Sequence, residues 1–325
     1  MRFSRLLLCT LAGCLLTGLA KAAEPAKRPN FVFIVSEDNS VHYLRLYGHK
    51  LGVTPNIERL AAEGLTFNHA FSGAPVCSVA RTTLATAMHA PRVGFQYHRK
   101  SALASLPPGV KPWSTVLREQ GYYATNNSKT DYNFKVDMKQ AWDMSSRKAT
   151  WRNRPDKSMP FFHMQSFADS HESSLHFPIK QLEKPTTTLP TEVDLPPYFP
   201  DTPIMRYTMA RYYDRMRIID GHVGRIINQL REDGLLENTF VFYFGDHGGV
   251  LPRSKGYAYE SGLHVPFVVR IPENFKQLVD HKRGSRTDGS IAKTAHEHRA
   301  SSASLTSARR YSTWPAFSRI RNSMG

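Results

Sequence analysis

The chain has 325 residues, 41% of them hydrophobic, which is enough to bury a substantial core in one large domain or two small ones. Its formal charge of +16 is concentrated largely in the N-terminal leader and after Phe275, so it says little about the folded part as a polyanion-binding surface. Of the three cysteines, Cys9 and Cys14 lie in the leader; cleavage after Ala22 would leave Cys77 alone and exclude a disulfide framework within the chain.

Arg2 and Arg5 precede an apolar run from Leu6 to Ala20, and Ala20-Lys21-Ala22 is a small-x-small cleavage pattern. Residues 1–22 therefore read as a signal peptide, too short for a stable membrane span, and the protein is expected to be exported to the periplasm or the extracellular space. Leu11-Ala12-Gly13-Cys14 offers an alternative, a lipoprotein anchor through Cys14. A free thiol at Cys77 in an oxidising compartment needs a reason, and chemistry at that sulfur would supply one.

Asn30–Val35 is an unbroken apolar run, as expected of a strand buried on both faces of a parallel sheet, and it ends in Ser36-Glu37-Asp38-Asn39. Adjacent acids at the carboxyl end of such a strand stand where open α/β sheets place ligands, and they suit a hard cation such as Ca²⁺ or Mg²⁺. Thr54-Pro55 starts a helix with a capping threonine, which Gly64 stops, and Leu65–Phe71 reads as a short strand. Cys77 is then followed four residues later by Arg81. If Cys77 opens a helix, its sulfur sits at the positive end of the macrodipole on one face with Arg81, a setting fit for a nucleophile that meets an anion.

Ser114–Gln120 reads as a helix and Tyr122–Thr125 as a strand leading to Lys129, while Pro160–Phe167 is a strand leading to His171. The proline- and threonine-rich stretch Pro178–Pro203 reads as a surface excursion lining a cleft. Met209, Tyr213, Met216, Val223, Ile227 and Leu230 follow helical spacing over Arg206–Asp233, interrupted by Asp220, for which a salt bridge to a neighbouring arginine is the simplest account. Thr239–Phe244 is a second buried strand, ending in Gly245-Asp246-His247 with Lys255 beyond, and Val265–Ile271 is one more strand. Apolar periodicity is lost after Phe275, and residues 276–325 read as a basic, disordered or frame-shifted tail. That tail lacks aromatic interleaving and export argues against nucleic acid, so no nucleic-acid partner is expected.

Buried strands thus end in Glu37-Asp38, Lys129, His171 and Asp246-His247, and in a parallel sheet those ends share one edge. At this point the chain resembles the sulfatases of the alkaline phosphatase-like superfamily, over about Pro29 to Pro272. The runs Pro197-Tyr198-Phe199-Pro200-Asp201-Thr202-Pro203 and Asp220-Gly221-His222-Val223-Gly224 are most similar to the heparan N-sulfatase (N-sulfoglucosamine sulfohydrolase) branch and its bacterial relatives. The resemblance implies an α/β fold whose mostly parallel central sheet carries helices on both faces, with residues 29–275 as the catalytic domain and the family's small C-terminal antiparallel domain absent. It implies hydrolysis of a sulfate ester or N-sulfate on a sulfated saccharide. Cys77 would be the residue converted by a formylglycine-generating enzyme to formylglycine, whose hydrate attacks sulfur. Glu37, Asp38, Asp246 and His247 would hold Ca²⁺ (or Mg²⁺), Arg81, Lys129 and Lys255 would surround the sulfate, and His171 would protonate the leaving group.

Val79 stands where the family usually has proline or alanine, and Ala80 where serine is common, which bears on maturation of Cys77. Glu37 replaces the more usual aspartate, and Asp131 stands where many relatives carry histidine. Two alternatives follow: a phosphatase or phosphonate hydrolase on the same scaffold, and an inactive truncated homologue that binds sulfated glycans.

Overall fold

The computed structural model describes residues 28–94, 96–99 and 103–277, with the backbone of 303–304. The expected signal peptide over 1–22, with Cys14, and nearly all of the expected tail from 276 lie outside the described residues.

Strand β1, Asn30–Ser36, is followed by two 3-10 turns and helix α1, Pro55–Ala62. Two short strands, β2 (Gly64–Thr66) and β3 (Ala70–Phe71), lead to α2, Cys77–Thr86, then α3 (Ala90–Val93) and α4 (Trp113–Glu119). Next come β4 (Tyr123–Asn127), α5 (Met138–Ala141), β5 (Met144–Ser145) and β6 (Phe161–Phe167). The proline- and threonine-rich excursion contains only 3-10 turns before the 30-residue helix α6, Pro203–Glu232. Strand β7 (Thr239–Gly245), helix α7 (Glu260–Leu263) and strand β8 (Phe267–Arg270) complete the main body, and β9 (Ala303–Ser304) pairs with β3.

The sheet runs β2-β8-β7-β1-β6-β4-β5. Strands β7, β1, β6, β4 and β5 are parallel; β8 is antiparallel to both β7 and β2. The unbroken apolar runs have the two-sided burial they call for. Val32, Ile34, Val241 and Tyr243 face one core, with Met209, Tyr212, Met216, Ile219, Val223 and Leu230 of α6 and Ile57 and Leu60 of α1. Phe31, Val35, Phe240, Phe242 and Phe244 face the other, with Leu117 of α4 and Trp142. Each such side chain contributes on the order of 1.5–3 kcal/mol by leaving water.

The register sets the level of the loops. Ser36 at the end of β1 lies opposite Phe167 of β6 on one side and Gly245 of β7 on the other. Asn127 of β4 pairs with Gln165 of β6. Four strands therefore release their chains within a few residues of one line.

Two local expectations are corrected. Among the described residues Asp220 makes no salt bridge to an arginine. From the middle of α6 its carboxylate accepts the backbone N–H groups of Asn56 (2.9 Å) and Ile57 (2.9 Å) and the Asn56 side-chain amide (2.8 Å). It caps α1 from outside, which a helix start requires because its first N–H groups have no partner in the helix. Thr54 gives no side-chain cap: its hydroxyl turns to the Gly52 carbonyl, while its N–H donates to Glu58. The second glycine of the Asp220-Gly221-His222-Val223-Gly224 run belongs to the same device, since a Cβ at Gly224 would stand 2.8 Å from the Asn56 side chain.

Candidate active site

Cys77 is the first residue of α2, after extended Val76, and it is fully buried. Its placement at N1 puts the sulfur beside helix N–H groups with no partner in the helix, and Arg81 follows one turn later on the same face. The thiol Sγ lies 3.3 Å from His247 Nε2 and 3.6 Å from Asp38 Oδ1. His247 Nε2 and Asp38 Oδ1 are themselves 2.8 Å apart.

The remaining groups expected at the strand ends converge on the same place. Lys255 Nζ reaches Asp38 Oδ2 at 2.8 Å and lies 3.5 Å from His171 Nε2. Arg81 Nε donates to Asp246 Oδ2 at 3.1 Å, and its Nη2 stands 3.4 Å from Glu37 Oε1. Lys129 Nζ takes the other Glu37 oxygen at 2.6 Å. Three carboxylates are thus interleaved with three permanent cations around one buried thiol. His171 and Lys129 sit at the open side, on a cleft of about 520 Å³ that also meets Glu37, Arg99 and Arg147.

Backbone geometry aims these groups. Asp38 adopts φ +52°, a left-handed conformation uncommon for a residue with a Cβ, and it is held there from several sides. Its N–H donates to Asp246 Oδ1, its carbonyl accepts the Tyr212 hydroxyl from α6, and its Oδ2 accepts the Glu172 N–H. The Ser170 hydroxyl similarly holds the Glu37 carbonyl. Gly245 lets the turn close, because a Cβ there would meet the Asn39 carbonyl oxygen at 2.4 Å. His171 Nδ1 lies against Ser173, 3.0 Å from its hydroxyl and 3.3 Å from its N–H, which turns Nε2 toward the site.

The charges sustain one another. Burial works to neutralise Asp38, but the hydrogen bond and charge of His247, with Lys255 added, hold its carboxyl far below the ordinary range. Burial opposes charge on His247 as well; Asp246 and the bonds to Asp38 and Cys77 overcome it and lift the imidazole to about 10. Burial also raises the Cys77 thiol, yet hydrogen bonds from His171 and His247 win and its pKa falls below that of a free thiol. The bond to Cys77 in turn raises His171.

Asp38, Cys77 and His247 each place one donor atom within 4.8 Å of the other two, a grouping able to hold a metal ion. Glu37 and Asp246 stand next to it, turned toward Arg81 and Lys129. His247 Nδ1 and Asn39 Oδ1 are buried here with no hydrogen-bond partner among the described residues. A carboxylate-rich set with spare polar atoms fits a hard divalent cation. No helix among the described residues is long and apolar enough to cross a membrane.

Several contributors were not found from sequence. Tyr212 and Ser170 bind site carbonyls, Ser166 lies 3.2 Å from Arg81 Nη1, and Glu172 pairs with Lys255 at 3.2 Å. The helical spacing read from sequence runs through Tyr213 and passes over Tyr212, and nothing in the order of residues pairs the serines with their distant partners. Asp131, at φ +53°, forms an ion pair with Arg99 at 2.9 Å beside Lys129.

A model of the Sulfatase family matches residues 29–296. An ulvan-active sulfatase from Formosa agariphila is 35% identical over 292 residues, covering 77% of this chain and 48% of the relative. Human N-sulphoglucosamine sulphohydrolase is 24% identical over 308 residues, covering 83% of this chain and 60% of the relative. The chain therefore spans between about half and two thirds of the length of these curated relatives. Among solved structures, a sulfatase from Bacteroides fragilis superposes with a TM-score of 0.60 at 20% identity, covering 78% of this chain and 70% of that one, a likeness of fold.

Proposed function

The chain belongs to the sulfatase family, and on that premise we propose that it releases sulfate from a sulfated sugar, with residue 77 as the seat of the nucleophile. The observation that carries this reading is the buried Cys77 thiol, at a helix start, within 3.3 Å of His247 and 3.6 Å of Asp38 and ringed by Arg81, Lys129 and Lys255. The relatives' names, an ulvan-active sulfatase and an N-sulphoglucosamine sulphohydrolase, point toward sulfated saccharides as the substrate class.

Arg81, Lys129 and Lys255 orient the sulfate and balance the charge that gathers on its oxygens, in a site where burial strengthens each interaction. His171, with its Nε2 facing the site, delivers the proton to the leaving oxygen or nitrogen. Asp38 and His247, with Glu37 and Asp246, would hold a divalent cation, Ca²⁺ or Mg²⁺. Such an ion supplies Lewis-acid polarisation of a sulfate oxygen. Oxidation of Cys77 to formylglycine by a generating enzyme supplies a hydrated aldehyde hydroxyl as the attacking group. Export directed by residues 1–22, and a catalytic unit over 29–275, belong to the same reading.

The test sets sulfated against phosphorylated aryl substrates, together with mass spectrometry of the peptide spanning Cys77 from protein made with its maturation machinery. Sulfate turnover with a loss of about 18 Da at residue 77 is expected. Preference for phosphate would replace this reading with a phosphatase or phosphonate hydrolase on the same fold.

A further inference from the structure

The catalytic cleft continues past Lys129. Its lining shares Asn127 and Arg147 with a second hollow of about 330 Å³, which runs under the loop at residues 147–152 toward α6. Four cations line that hollow, Arg147, Lys148, Arg152 and Arg225, and no acidic side chain does. Arg152 is committed to Asp233, 2.8 Å from its Nε. Arg225 lies against the His222 ring, 2.9 Å from Nδ1. Arg147 and Lys148 make no ion pair among the described residues, and both are exposed.

This charge is uncompensated on the protein's own account. Packing three unneutralised cations around one partly enclosed hollow costs mutual repulsion, and a low-dielectric wall focuses their field on whatever enters. The other lining residues include Gln165 and Gln229, whose amide side chains suit sugar hydroxyls better than apolar ligands, while the Asn127 amide holds the Arg147 and Ala149 carbonyls and so shapes the loop. Continuity with the catalytic cleft through Asn127 and Arg147 places the hollow where the next unit of a chain would lie when one unit is at Cys77.

We infer that this hollow is a second anion subsite, which takes a negatively charged substituent, sulfate or carboxylate, on the sugar next to the one being desulfated. It makes the protein select polyanionic oligosaccharides over singly sulfated ones. The inference rests on the sulfatase reading for its catalytic consequence, while the binding itself stands on the hollow's charge.

The experiment compares disaccharides whose neighbouring sugar carries no charge, a carboxylate or a sulfate, using the wild-type chain, Lys148→Ala/Arg225→Ala and the charge-keeping Lys148→Arg/Arg225→Lys. In the wild type, kcat/KM is higher for at least one charged substrate than for the uncharged one, and the substituent that gains identifies the anion. In the alanine pair the charged-to-uncharged ratio falls by about tenfold, mainly through KM, and the conservative pair restores it. An unchanged ratio, or an equal loss on all three substrates, overturns the inference. Failure of the wild type on every sulfate ester would refute the function instead. Calorimetry with a fully sulfated heparin tetrasaccharide at about 150 mM salt then decides the subsite. Binding weaker by about fivefold in the alanine pair supports it, and equal affinity overturns it.

Discussion

The capping of α1 by Asp220 gives the sharpest test of how the sequence builds this scaffold. Asp220→Ala removes a carboxylate that accepts the Asn56 and Ile57 N–H groups and the Asn56 amide at 2.8–2.9 Å, in a position only 4% exposed. Loss of a helix cap costs about 1 kcal/mol, and the one fully buried donor left without a partner, the Ile57 N–H, adds about 1–3 kcal/mol, while water can reach the two part-buried Asn56 donors. The sum is a loss of about 2–4 kcal/mol. Asp220→Asn should cost less, because burial outweighs the hydrogen bonds and raises this carboxyl's pKa. The charge itself therefore adds strain, while the asparagine oxygen can still accept. Urea denaturation of the three proteins measures both losses, and a double-mutant cycle with Asn56→Ala should return a coupling of about 0.5–3 kcal/mol. An Asp220→Ala protein within about 0.5 kcal/mol of wild type would refute the capping account.

Four further outcomes are expected. His163 is buried in β6, with Nδ1 2.8 Å from Thr125 Oγ1, and burial pushes its pKa from 6.5 down to about 4. The unfolded chain takes up this proton first, so the stability contribution is complete above pH 6.5 and is lost as the pH falls toward 4, by about 3 kcal/mol. His163→Asn should flatten that slope in denaturation curves measured at pH 7 and 4.5, and an unchanged slope counts against it. Ca²⁺ at about 100 times its dissociation constant should stabilise the protein by about 2.7 kcal/mol. Thermal melts of Asp38→Asn should show no such response. Lys255→Ala should lower kcat for a sulfate ester by about 10²–10³ in a steady-state assay. Gly224→Ala presses a methyl against Asn56 and should cost about 1–3 kcal/mol by urea titration.

The strands were legible because burial on both faces leaves an unbroken apolar run, as in Asn30–Ser36 and Thr239–Gly245. Their parallel order then turns four separate strand ends into one place, so Glu37, Asp38, Lys129, His171, Asp246 and His247 could be gathered before any coordinates. What stayed hidden is whatever depends on which distant atoms meet. Asp220 looks like a charge on a helix seam until α1 arrives beside it, 164 residues away in sequence from Asn56. The second hollow is hidden for the same reason: Lys148 and Arg225 belong to separate elements, and neither position has a pattern that names the other.

Helix α6 holds two anchors, Tyr212 on the Asp38 carbonyl and Asp220 on the start of α1. At 1.5 Å per residue they stand about 12 Å apart along one rigid rod. Inserting a single residue between them would turn one anchor by about 100° relative to the other, so that no sliding of the rod could satisfy both. The eight-residue interval is therefore a fixed gauge between reaction centre and scaffold: the side chains within it that face away from the core can be exchanged, but its length cannot.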